Sequence, residues 1–306
     1  MTEPFALFDR AALRKHRDRA ARRPGGHDFL AREVAARLFD RLVDVKRRFR
    51  RVLVLGGGAD MIAALRPEDS GIELVVALDL SVEQARRAGP LAIAADIERL
   101  PFRDRSFDLV LSLLDLHWVG DLPGALVQIQ LALEPDGLFL GALYGGATLK
   151  ELRAAFAEAE IELEGGLSPR VSPFADLRDL GNLLPRAGFA LTVADADTLT
   201  VSYPDAFRLM ADLRGMGESN ALVERRKSWS RRSTLMAAAE RYKAKFGDAD
   251  GRIGATFEVV FLSGWAPHPS QPKPLAPGSA TARLATALGS TEIPGGETAQ
   301  PGKPRP

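Results

Sequence analysis

Between Phe29 and Val45 the sequence FLAREVAARLFDRLVDV places apolar side chains at Leu30, Val34, Leu38, Leu42 and Val45. That is the spacing of one helical face, and it predicts an amphipathic helix ahead of the first strand. Beyond it the pattern changes to short, nearly continuous aliphatic runs. Val52 to Leu55, Ile72 to Leu78, Leu91 to Ala95, Phe107 to Leu113 and Leu138 to Leu143 are predicted strands. Helices are predicted between them: one opens on a capping-box pattern, Ser81 with Gln84, and one runs from Leu122 to Leu133 and stops at the turn residues Glu134 to Gly137. Aliphatic strands alternating with helices predict a parallel sheet covered on both faces, a doubly wound α/β fold.

The second half is patterned differently. Helices are predicted near Thr148 to Glu162 and Phe174 to Ala187, then two short strands, Phe189 to Val193 and Thr198 to Tyr203. A mostly helical stretch, Pro204 to Lys245, reads as an insert or lid before a last strand in ATFEVVFLSGW, Ala255 to Trp265. From Pro267 onward Pro, Gly, Ser, Thr and Ala dominate, the composition of a disordered tail. The expected organisation is a basic helical arm (1–50), an α/β domain (51–266) with a helical insert at about 204–250, and the tail (267–306).

Composition removes several function classes. The 306 residues contain no Cys, which excludes thiolate nucleophiles, disulfides and Cys-ligated metals. No apolar run is long enough to span a bilayer, and the acidic start MTEPFALFDR has no sustained apolar region for secretion, so the cytoplasm is the expected location. The net charge of +1 conceals an asymmetry, because residues 1–51 hold 15 Lys/Arg against 7 Asp/Glu. Such an arm suits acidic lipid, nucleic acid or an acidic protein, and equally a solvated or intramolecular helix face.

The stretch RVLVLGGGADMIAAL, from Arg51, carries the candidate chemistry. A strand meeting Gly56, Gly57 and Gly58 lets backbone N–H groups approach a ligand at a helix start. The third glycine of the dinucleotide pattern is absent, and the Asp60 carboxylate would repel a pyrophosphate, so NAD is disfavoured. Asp79, 21 residues after Gly58 at the end of the second strand, is placed to accept ribose hydroxyls, and Asp96 at the end of the third to hold an adenine amino group. With neighbouring Leu80 and Ile97 they outline an adenosine site fitted to S-adenosylmethionine (SAM), which has no phosphates. Each acid also suits a plain turn.

VLVLGGGAD, VVALDLS, AADIERLPFRDRSFDLVLSLLDLHWV and LEPDGLFLGAL follow one another as in class I SAM-dependent methyltransferases, which they resemble. The resemblance implies a seven-stranded sheet with an antiparallel last strand. FALFDRAALRKHRDRAA, LHWVGDLPGAL, GGATLKELR, EGGLSPRVSPF, MADLRGMGESNA and SQPKPLAPGSA closely resemble the family of mitochondrial respiratory complex I assembly factor 5 and its bacterial relatives, across about the first 282 residues. Val54 stands where many relatives carry an acid, and Asp60 where they carry glycine. In the general fold that acid lies near the methionine amino group.

The resemblance implies modification of an arginine on a complex I subunit during assembly, by hydroxylation or by methylation, with a protein as substrate and no nucleic acid. It leaves room for association with the inner face of a membrane. An iron site of two His and a carboxylate is not visible: only His16, His27, His117 and His268 exist, and Asp115, His117 and Asp121 lack a nearby second imidazole. No metal ligands are therefore assigned. The resemblance puts His117 and Trp118 at the substrate edge, His117 as a general base or hydrogen-bond partner and Trp118 to stack on a guanidinium or adenine. A packed aromatic beside a hydrogen-bonded His explains them as well. In RGMGESN, Glu218 and Asn220 are candidates for binding a cationic arginine, or for a turn with a helix cap. Two rivals stand beside this reading: a carrier-protein or small-molecule O-methyltransferase of the malonyl-carrier-protein type, and a non-catalytic assembly chaperone.

Overall fold

The structure, a computed structural model, describes residues 6–22, 25–56, 71–272, 279 and 282–291. Gly57, Gly58 and Asp60 lie outside the described residues. Residues 1–268 form one compact unit and 269–306 a second, in which α9 (Leu284–Leu288) is the described helix.

Two helices, α1 (Arg10–Ala21) and α2 (Phe29–Val43), precede β1 (Arg51–Leu55). Then follow β2 (Leu74–Asp79), α3 (Val82–Ala88), β3 (Ala92–Ala94), β4 (Phe107–Leu113), a single 3-10 turn at Leu116–Trp118, α4 (Leu122–Ala132) and β5 (Leu133–Tyr144). The remainder is α5 (Lys150–Glu164), α6 (Leu177–Arg186), β6 (Ala190–Tyr203), α7 (Ala206–Met216), α8 (Arg232–Phe246) and β7 (Ile253–Trp265). The seven strands form one sheet in the order β3-β2-β1-β4-β5-β7-β6. β1 to β5 pair in parallel, whereas β7 runs antiparallel to both β5 and β6. The fold is the doubly wound seven-stranded one that the strand pattern and the resemblance predict, with α7 and α8 inserted before the last strand.

Alternation along β1 divides the core. Val52 and Val54 face one layer, with Leu38 of α2, Phe156 of α5, Leu209 of α7 and Tyr242 of α8. Leu53 and Leu55 face the other, with Leu126 and Ile129 of α4 and Leu180 and Leu184 of α6. Ser81 caps α3 as predicted, accepting from the Gln84 N–H at 3.1 Å, but the reciprocal half of the box is not made and Gln84 Oε1 has no partner among the described residues.

Three expectations are corrected. The two short strands at 189–193 and 198–203 are one strand, β6, because the intervening Ala194-Asp195-Ala196-Asp197 stays in the ladder with β7. Arg41 of α2 reaches Asp195 at 2.8 Å and Arg37 reaches Asp197 at 3.0 Å, which offsets the poor strand preference of aspartate. The predicted turn at 134–137 lies inside β5; Asp136 turns locally left-handed (φ 64°) and the register against β4 shifts there without ending the strand. The helical stretch from Pro204 is two helices with residues 217–231 between them.

Candidate active site

In a parallel sheet the strand ends point to one crevice, and the order reverses between β1 and β4, where such folds bind ligands. Gly56, just after β1, takes φ +63°, and a Cβ there would stand 2.7 Å from the Asp115 Cβ. Only glycine permits that approach between the β1 and β4 ends. Asp79 ends β2, 7% exposed, and its Oδ1 accepts from the Ser81 N–H at 2.7 Å. Asp96 follows β3 and accepts from the Glu98 N–H at 3.0 Å. The crevice therefore collects Gly56, Asp79 and Asp115 around one cleft of about 180 Å³. Leu80 packs on the cluster of Phe8, Leu13 and Trp118, and Ile97 is buried against the α4 side of the sheet.

Helix α1 reaches into this crevice. Arg10 and Arg17, seven residues and about two turns apart, share a helix face. Arg10 forks onto the Asp96 carboxylate, with Nε–Oδ2 at 2.7 Å, and donates to the Trp118 carbonyl at 2.7 Å. The buried Arg17 pairs with Asp115 through Nη2 and lies 3.7 Å from Asp79 through Nη1. Burial pushes the Asp79 carboxyl up to about 6, with Arg17 opposing and the Asp115 charge adding to the rise. Burial pulls Asp115 the same way, yet the Arg17 charge and hydrogen bond outweigh it and hold Asp115 below the ordinary range. Much of the charge of the N-terminal arm is thus matched by the domain's own acids, as Arg22 with Glu83 and Arg47 with Asp136 also show.

Glu218 is placed by the end of α7. Gly217, at φ +88°, caps the helix, and the Glu218 N–H returns to the Leu213 carbonyl at 2.8 Å. Glu218 Oε2 accepts from the His117 Nε2 at 3.1 Å and from the Trp118 Nε1 at 2.9 Å. His117 gives Nε2–H to this contact, and its buried Nδ1 has no partner among the described residues, beside the rings of Tyr144 (4.7 Å) and Phe174 (5.8 Å). Trp118, 2% exposed, packs edge-to-face on Phe8 at 5.3 Å. The three candidates converge, but the two rings support Glu218; they do not present a base or a stacking face. Asn220 is used by the loop: it caps the Leu222 N–H and donates to the Pro169 carbonyl at 2.6 Å.

Glu218 and Tyr144 line both the crevice and a larger cavity of about 620 Å³ walled by Phe156, Phe174, Phe257 and Met210. Burial, with the Glu218 charge adding to it, holds the Tyr144 phenol well above its ordinary value, so it stays protonated. Among the described residues no three His, Asp or Glu side chains gather as a metal site. Asp121 caps α4 through the Gly124 N–H, and Asp115 is paired with Arg17. Arg10, Arg17, Asp115 and Tyr144 were not singled out for the cofactor side from sequence. The Arg10 to Arg17 spacing was the available signal, but their acidic partners are distant in the chain.

Residues 43–141 match the methyltransferase domain family. Among solved structures, BH2331 of Bacillus halodurans is 18% identical with a TM-score of 0.53, covering 76% of this chain and 99% of that one. YcgJ of Bacillus subtilis is 15% identical with a TM-score of 0.51, covering 77% of this chain and 99% of that one; both show the fold alone. The sheet order and the domain match define a SAM-dependent methyltransferase-like protein. Arginine-hydroxylase NDUFAF5, mitochondrial, of Danio rerio is 43% identical over 286 residues, 91% of this chain and 88% of its own, and the Homo sapiens protein is 44% identical over 90% and 81%. The chain belongs to the NDUFAF5 family. Malonyl-[acyl-carrier protein] O-methyltransferase of Halorhodospira halophila is similar at 35% identity, over 84% of this chain and 88% of its own.

Proposed function

We propose that this protein binds SAM in the crevice and modifies the side chain of an arginine on a respiratory complex I subunit during assembly, by hydroxylation, a step in which dioxygen supplies the inserted oxygen atom, an external two-electron reductant supplies the electrons, and the second oxygen leaves as water. The observation that supports it is Glu218: a carboxylate fixed by two ring N–H donors on the wall shared by the cofactor crevice and an aromatic cavity. A guanidinium entering that cavity passes Phe156, Phe174 and Phe257 and meets the Glu218 carboxylate, which offsets the Arg170 and Arg214 charges on the same wall.

The residues of the crevice fit an adenosyl cofactor. A carboxylate at the β2 end suits ribose hydroxyls, and among the described residues nothing hydrogen-bonds Asp79 Oδ2. The bare Cα of Gly56 admits close approach, whereas Asp96 is held by Arg10 and Ile97 is packed in the core, so an adenine contact there requires Arg10 to release Asp96. Val54 is fully buried in the apolar core; among the described residues the carboxylate beside Gly56 is Asp115, whose charge Arg17 already matches. When bound, the cofactor supplies an electrophilic sulfonium methyl and an adenosyl group. Glu218 orients the guanidinium, His117 and Trp118 hold Glu218, and the apolar walls exclude water.

No described helix is long and apolar enough to cross a membrane. We place the protein in the cytoplasm, at or near the inner face of the membrane where its substrate assembles. The test is mass spectrometry of the candidate subunit from cells with and without the gene. Loss of one oxygen's mass on an arginine in the deletion supports the reading. Loss of a methyl's mass makes the protein a methyltransferase, and an unchanged subunit with failed assembly makes it a chaperone.

A further inference from the structure

Beside the aromatic cavity lies a polar cleft of about 340 Å³, and Arg170, Arg214, Ser219 and Asn220 line both. Five arginines line the cleft, Arg19 from α1, Arg214 from the end of α7, and Arg170, Arg225 and Arg226 from the loops, beside His16 of α1, Pro169, Ser219 and Asn220. Three guanidiniums are already matched, Arg170 with Glu160, Arg225 with Asp9 and Arg226 with Glu164. Arg19 and Arg214 have no carboxylate partner among the described residues. The walls are tied together: His16 Nδ1 contacts the Ser219 carbonyl at 3.1 Å, and the Asp9 N–H donates to the Ala221 carbonyl at 2.7 Å. Neither the adenosyl reading nor the Glu218 site uses this cleft.

We propose that the cleft receives a carboxylate side chain of the substrate protein, close in sequence to the arginine that enters the cavity. The enzyme then selects arginines by an acidic neighbour; this rests on the arginine reading of the cavity. Two unmatched guanidiniums suit a carboxylate, which takes forked hydrogen bonds from each. Arg214 lines both the aromatic cavity that holds Glu218 and the cleft, so the acid lies close in sequence to the arginine. An anionic bilayer is the rival occupant, since Lys227, Arg231 and Arg232 are exposed nearby and Trp229 is 97% exposed. The concave shape and its continuity with the arginine cavity favour a side chain over a flat lipid surface.

The experiment is fluorescence anisotropy of the full chain with short labelled peptides. One carries a central arginine with Asp and Glu beside it, a second has those acids as Asn and Gln, a third keeps the acids and has Gln for the arginine, and a fourth places Lys beside the arginine. The acidic peptide is expected to bind at least about tenfold tighter than the neutral one, a preference that salt weakens. In Arg214→Glu the order should reverse, with the Lys-flanked peptide bound best, and that gain shows the variant is folded. Equal affinity for acidic and neutral peptides, with the Gln-for-Arg peptide bound weakly, overturns the cleft proposal and leaves the arginine reading standing. The converse pattern keeps the cleft and removes the arginine. Binding to phosphatidylserine vesicles that Arg214→Glu abolishes, with no preference among peptides, assigns the surface to membrane and also overturns the proposal.

Discussion

Arg17 Nη1 lies 3.7 Å from Asp79 Oδ1 while its Nη2 pairs with Asp115, so one buried guanidinium from the N-terminal helix serves two carboxylates at the ends of β2 and β4. Removing it strands both charges. Arg17→Met is expected to lower stability by about 3–5 kcal/mol, the usual cost of breaking a buried ion pair from one side. Arg17→Lys keeps the charge but loses the fork and should fall between. Urea unfolding of the three proteins checks the order. Equal midpoints would mean that solvent already screens the acids.

Asp79 makes the opposite prediction. Its carboxyl is pushed up to about 6, by burial first. An acid whose folded value exceeds its unfolded value contributes stability that is complete below the ordinary aspartate range and lost as pH rises through about 6. Asp79→Asn removes that loss and leaves Arg17 in a one-to-one pair with Asp115. The variant should therefore be at least as stable as the parent near neutral pH, with the difference closing in acid. SAM binding should move the other way. The parent's affinity should fall as pH drops through about 6, and Asp79→Asn should lose roughly tenfold or more, the value of a hydrogen bond to a charged acceptor. Calorimetry and thermal melts over a pH series read both.

The sheet was legible in the sequence because its strands bury both faces, which writes them as aliphatic runs such as Val52 to Leu55 and Phe107 to Leu113. The edge strand β6 was split because Asp195 and Asp197 look like a break until Arg41 and Arg37 are seen opposite them. Asp79 and Asp96 could be located because position at a strand end follows from topology. Their arginine partners could not, since pairs such as Arg10 with Asp96 join residues 86 apart and no local pattern records that distance. Glu218 and His117 were singled out separately, by the resemblance; their contact, across 101 residues, needed the fold.

His117 and Glu218 should separate by kinetics. Glu218→Gln removes the charge that meets the guanidinium, so the affinity for an arginine peptide should fall by roughly ten- to a hundredfold. His117→Phe leaves that charge and frees the carboxylate, so turnover should fall more than binding. Among the described residues Nδ1 has no partner to lose, the site is walled by Tyr144 and Phe174, and Trp118 still holds Glu218, so stability should fall by no more than about 1.5–3 kcal/mol, the value of the lost Nε2–Glu218 hydrogen bond. If His117→Phe matches Glu218→Gln in binding loss, His117 touches substrate directly.

Gly56 tests how closely the β1 and β4 ends approach. Gly56 and Gly165 both take positive φ, +63° and +70°, but a Cβ at Gly165 meets nothing within 4 Å, whereas one at Gly56 would stand 2.7 Å from the Asp115 Cβ. Gly165→Ala should cost only the backbone strain, about 1 kcal/mol. Gly56→Ala adds a contact that side chains do not tolerate and should cost about 3 kcal/mol. The excess must displace Asp115, and with it the anchor of Arg17, so Gly56→Ala should also weaken SAM binding while Gly165→Ala leaves it unchanged. Denaturation midpoints and calorimetric titration of both variants decide it: equal costs would show that the β4 end yields, and that Asp115 is not held against Gly56.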